Sequence, residues 1–198
     1  MTSEVLLFIP PILCDARIFA PQIFALSTDM AVMVAPVTGG ERIEEIASGL
    51  LDMLPRRFAV AGLSMGGFVT IGTAALHPDK LGGAIVIDSP VVRPDPEVEA
   101  GRAGDHFSRP KEYDDPETPV ARFRTVPEQD VYLPYVKDYV ARHSLRHDDD
   151  GKWRWKFDAS IFMPDRRDAA ELLPDITCRV ALLRCEHGLL TADIGAYM

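Results

Sequence analysis

Five short, largely apolar runs mark this chain, at residues 5–9, 31–35, 58–63, 81–88 and 179–185. Each is continuous rather than alternating. That is the pattern of a strand covered on both faces, as in a parallel sheet. Pro10 and Pro11 end the first run and Pro36 the second. Between the runs the period changes. Ile43, Ile46, Leu50 and Leu54 recur at helical spacing and Pro55 stops them. Residues 12–19 read as a loop entering a short helix with Asp15 as its N-cap. Residues 68–76, rich in Ala and Gly, read as a helix ending at His77-Pro78. Strands alternating with helices predict an α/β architecture, a mostly parallel sheet flanked by helices with right-handed crossovers. Ligands then gather at the carboxyl ends of the strands.

After the fourth run the pattern breaks. Residues 90–170 hold more than half of the 16 prolines and mix both charges with aromatic rings, among them Phe107, Tyr132, Tyr139, Trp153, Trp155, Phe157 and Phe162. Strand signals are weak there and helical ones stronger, for instance over 131–144. This predicts a helical cap, residues 90–170, inserted after the fourth strand of a core formed by residues 1–89 and 171–198. Trp153 and Trp155 read first as packing for that cap, and second as a wall for an apolar ligand group. The run His147 to Asp150 reads as a solvated turn with Gly151. The fifth strand leads into a loop, Glu186-His187-Gly188, and then a helix with Thr191 as N-cap.

Composition narrows the function. At 198 residues the chain suits one domain with a sizeable core. Its net charge of −9 argues against nucleic acid or an anionic membrane as a main partner. Cys14, Cys178 and Cys185 form neither a disulfide framework nor a metal spacing, which predicts a reducing, cytoplasmic setting and no metal. The N-terminal residues lack a basic region, and the run 5–9 is too short for a signal core or a membrane span. No phosphate loop or dinucleotide fingerprint is present, so no cofactor is expected.

The candidate chemistry sits at Gly62-Leu63-Ser64-Met65-Gly66-Gly67. Gly-x-Ser-x-Gly between an apolar run and a helix is a nucleophile elbow: a sharp turn lifts the serine hydroxyl above the sheet. Together with the stretch from Pro10 to Arg17 and the insertion after Asp88, this motif resembles the α/β-hydrolase superfamily over essentially the whole chain. The resemblance implies a serine hydrolase of the esterase type, cleaving a carboxylic ester or related acyl bond of a small molecule through an acyl-enzyme at Ser64. It implies Met65 N–H as one oxyanion donor and a second from the early loop. There Pro10 and Pro11 have no N–H, so Ile12 takes that place. It implies an acid at Asp88, with Glu186 as the alternative.

The base is the unresolved member. The family's histidine follows one further strand, and on that pattern the chain is expected to be C-terminally incomplete or composite. Of the five histidines, His77 reads as a helix-end residue, and His106, His143 and His147 as solvated cap residues. His187 lies on the expected rim and is the candidate. The competing reading is a catalytically impaired member of the fold that binds a small molecule or has no activity.

Overall fold

The computed structural model describes residues 5–35, 43–92, 111–125, 133–156 and 169–198. The loop at 38–40, His106, Phe107, Tyr132, Phe157 and Phe162 lie outside the described residues. In chain order the elements are β1 (Val5–Ile9), α1 (Ala20–Leu26), β2 (Val32–Val34), α2 (Ile43–Leu51), β3 (Phe58–Leu63), α3 (Met65–Leu76) and β4 (Leu81–Ile87). There follow α4 (Glu117–Arg122), α5 (Pro134–His143), β5 (Leu145–His147), β6 (Trp153–Trp155), α6 (Ala169–Leu172), β7 (Val180–Leu183) and α7 (Ala192–Tyr197).

The five apolar runs are the five strands of one parallel sheet, in the order β2-β1-β3-β4-β7. The continuous pattern has a direct cause, since β1 and β3 are covered on both faces. Leu7, Ile9, Phe58 and Val60 point to the face packed by Ile46, Ala47 and Leu50 of α2 and Val69 and Ala74 of α3. Leu6, Phe8 and Ala61 point to the other face, against Phe19 in the turn before α1. Burying each of the Leu, Ile, Val and Phe side chains among them stabilises the fold by about 1.5–3 kcal/mol. Asp15 caps that turn as expected, its carboxylate accepting the Arg17 N–H at 3.0 Å.

The chain leaves β1 toward β2, then crosses back over β1 to β3. The direction of winding reverses at the β1–β3 pair. A crevice opens at such a reversal, beyond the carboxyl ends of the two strands. Those ends carry the early loop and Ser64. At the other margin, β7 pairs only with β4 among the described residues. Val180 and Leu183 there are 43% and 49% exposed.

Residues 111–156 differ in part from the helical expectation. Besides α4 and α5 they form a hairpin, β5 paired antiparallel with β6. Two three-residue strands are too short to show a period. The acidic run forms the hairpin turn, with Gly151 at φ 77° and its N–H donating to Asp148 O at 2.9 Å. Two of its three carboxylates are engaged: Asp148 and Asp150 both accept from Arg154. Trp155 packs against Phe123 and Trp153 against His147. No helix among the described residues is long and apolar enough to cross a membrane.

Candidate active site

β3 runs straight into α3 through Ser64 alone, which stands at φ 56° and ψ −119°. A residue with a Cβ is strained there by about 1–3 kcal/mol, and such strain persists only where the surroundings enforce it. Here they do. Ser64 N–H donates to Ile87 O at 3.2 Å. Ser64 O accepts from Gly67 N–H at 2.9 Å and from the buried Ser89 hydroxyl at 2.9 Å. Ser89, absent from the sequence-level candidates, thus braces the elbow from the end of β4. A Cβ at Gly62 would overlap the carbonyl of Gly66, and one at Gly66 would overlap the carbonyls of Ile9 and Pro10. Both positions require glycine, and the second lets the early loop lie against the start of α3.

That loop is a tight turn. Cys14 N–H donates to Pro11 O at 3.1 Å, and Leu13 stands at φ 68°. Leu13 O accepts from Ser144 Oγ at 3.0 Å. Ser144 is fully buried at the end of α5. Neither Met65 N–H nor Ile12 N–H has an acceptor among the described residues. Met65 heads the twelve-residue α3, whose first N–H groups and dipole favour negative charge.

Asp88 ends β4 at φ 44°. Its carboxylate crosses to the loop after β7. Oδ2 accepts Leu189 N–H and Oδ1 accepts Leu190 N–H, each at 3.0 Å. The carboxylate fills the space where a side chain at 188 would begin. The two positions weighed for the acid, the end of β4 and the loop after β7, therefore meet in space. Burial and the neighbouring Asp88 push the Cys185 thiol up at the start of that loop. Glu186 and His187 sit on the same loop, 88% and 80% exposed in their side chains and 3.9 Å apart.

Among the described residues no histidine is hydrogen-bonded to the serine. Among the described residues Ser64 Oγ has no hydrogen-bond partner. His143 lies on α5, its Nδ1 2.8 Å from Tyr139 O. His147 faces Trp153 in the hairpin, and His77 lies at the far end of α3. No group of three or more His, Cys, Asp or Glu that could hold a metal occurs among the described residues. The three non-glycine residues with positive φ among them, Leu13, Ser64 and Asp88, all follow core strands at one rim of the sheet. Strained residues cluster in this way at functional sites.

By sequence the chain matches no family model and no curated protein. By structure it is similar to the thioesterase domain from the curacin biosynthetic pathway, 19% identical, over 98% of this chain and 79% of that one, with a TM-score of 0.67. It is similar to E-2-(acetamidomethylene)succinate hydrolase, 17% identical, over 98% and 78%, with a TM-score of 0.71. It is also similar to the enol-lactonase from Burkholderia xenovorans LB400, 20% identical, over 100% and 78%, with a TM-score of 0.67.

Proposed function

We propose that this chain, which has the α/β-hydrolase fold, is a serine hydrolase that cleaves an ester or related acyl bond of a small molecule. The observation that carries the reading is the strained Ser64 between β3 and α3, followed directly by Met65, whose N–H has no acceptor among the described residues. Ser64 Oγ attacks the acyl carbon. The carbonyl oxygen becomes an oxyanion and is stabilised by Met65 N–H and Ile12 N–H, preorganised donors at the head of a helix and in a tight turn. The base takes the Ser64 hydroxyl proton and gives it to the leaving oxygen as the acyl C–O bond breaks and the alcohol departs. The same base then deprotonates a water that attacks the acyl-enzyme, releasing the acid and returning the proton to Ser64.

In this reading His187 is the base and Asp88 the acid that orients its loop. Asp88 already fixes the two residues beyond Gly188 through their N–H groups. The exposed His187 ring closes on Ser64 when substrate is bound; catalytic hydrogen bonds are often long or unaligned before that. Residues 90–170 act as the cap over the site. The similar structures, a thioesterase domain, a hydrolase and an enol-lactonase, support acyl-bond chemistry.

A second reading rests on the lack, among the described residues, of a hydrogen bond between Ser64 Oγ and a histidine: the fold binds a small acyl compound without turnover. Hydrolysis of 4-nitrophenyl butyrate separates the two. The first reading expects turnover that falls by several orders of magnitude in Ser64→Ala and in His187→Ala. Binding without any Ser64-dependent turnover in the folded protein establishes the second.

A further inference from the structure

Beside the early loop a cleft of about 560 Å³ opens between residues 13–21 and α5, within the size range of small-molecule sites. Ser64 does not line it. Its walls are Leu13, Ile18 and Pro21 on one side and Val136, Tyr139 and Val140 on the other. We propose that this cleft holds the uncharged, apolar acyl chain of the substrate that Ser64 attacks. The proposal rests on the hydrolase reading above and names the substrate class for it.

Three observations carry it. The first is continuity. Leu13 lines the cleft and directly follows Ile12, whose N–H is the oxyanion donor in this reading. In this reading the cleft wall begins one residue along the loop from the oxyanion donor, which makes the cleft the apolar space offered to the acyl chain. The second is that the walls are tied together. Ser144 Oγ donates to Leu13 O at 3.0 Å, and Arg17 Nη1 donates to the Tyr139 hydroxyl at 2.5 Å. The Arg17 guanidinium also lies 4.9 Å from the centre of the Tyr139 ring. The cleft is thus a built space between bonded walls.

The third is charge. Arg17 and Asp15 line the cleft and bind each other, Arg17 Nε lying 2.7 and 3.0 Å from the two carboxylate oxygens. The Arg17 hydrogen bond holds the Asp15 carboxyl at about 2, below its ordinary range, so the pair stays ionised at working pH. His143 has its Nδ1 at Tyr139 O and its ring against the Tyr139 ring. Burial, with Asp15 nearby, pushes the Cys14 thiol up to about 11, so it stays neutral. The cleft's ion pair is closed on itself. A charged ligand group entering the cleft meets Arg17 and Asp15 already paired with each other, their side chains 45% and 52% exposed, and gains little from either. An apolar chain loses little and gains about three- to fourfold in affinity per buried methylene.

The test uses 4-nitrophenyl acetate, butyrate and octanoate, with mono-4-nitrophenyl glutarate as the acid-ended comparison. In the wild-type chain kcat/KM should rise roughly two- to fourfold per added methylene until the cleft is filled, with the glutarate below the butyrate. Val136 is 44% exposed at the cleft wall, so Val136→Trp can fill the cleft without burying new bulk in the core. It should remove the octanoate advantage over acetate, about tenfold or more. Binding is read separately with uncharged N-phenyl-1-naphthylamine. Its fluorescence should saturate on wild type and fail to do so on Val136→Trp. A preference for the glutarate, flat chain-length dependence, or probe binding untouched by Val136→Trp would overturn the proposal. Saturable, Val136-dependent probe binding with no ester cleavage would overturn the hydrolase reading and keep the apolar site.

Discussion

Replacing Ser64 by glycine should make the protein more stable than replacing it by alanine. The backbone at φ 56° and ψ −119° strains any residue that carries a Cβ, by about 1–3 kcal/mol. Glycine removes that strain and adds about 0.5–1 kcal/mol of unfolded-state entropy. The hydroxyl itself contributes no hydrogen bond among the described residues, so its loss is common to both variants. The backbone bonds of Ser64 with Ile87, Gly67 and Ser89 also survive in both. The net difference is about 1–2 kcal/mol in favour of Ser64→Gly, or about 2–8 °C in Tm for a chain of this size. Urea and thermal unfolding of the two variants, compared at equal m-value, measure it. A glycine variant equal to or less stable than the alanine variant would refute strain at the elbow, and with it the argument that the fold holds Ser64 in place for chemistry.

The contacts around the site set further expectations. Asp88→Ala removes the acceptor of two backbone N–H groups and should cost about 2–4 kcal/mol by thermal unfolding, while Asp88→Asn keeps one oxygen and costs about half as much. Ser144→Ala frees the Leu13 carbonyl; with about 1 kcal/mol lost, exchange of the Cys14 amide, which donates to Pro11 O, should quicken about fivefold, and unchanged protection would show that α5 does not hold the loop. Because its pKa lies near 11, Cys14 should gain iodoacetamide reactivity about tenfold per pH unit from pH 8 to 10 as thiolate forms, lagging the exposed Cys185 throughout in peptide mapping. Leu183→Lys on the outer strand should reduce light scattering on warming and leave the unfolding free energy within about 0.5 kcal/mol.

The core was legible in the sequence because burial on both faces of a parallel strand leaves an unbroken apolar run. All five runs became strands, and Ser64 stands at the turn its flanking glycines announce. Contacts across long separations were not legible. Asp88 could be placed at the end of β4, but its carboxylate reaches N–H groups 101 and 102 residues away, which no local pattern encodes. The grip of Ser144 on Leu13 spans 131 residues and reads in sequence as an ordinary serine after a helix. The solvated turn at 147–151 was legible, but the β5–β6 hairpin around it escaped because three-residue strands show no period and because the bonds from Arg154 to Asp148 and Asp150 leave no local pattern.

The account turns on whether Ser64 becomes acylated. Rapid quenching of the full chain with 4-nitrophenyl butyrate, followed by peptide mass analysis, measures this directly. The account predicts one butyryl group on the peptide containing Ser64, formed during the nitrophenol burst and absent from Ser64→Ala. A folded chain that releases nitrophenol with no adduct at Ser64, or that carries the butyryl group on another residue, would contradict it.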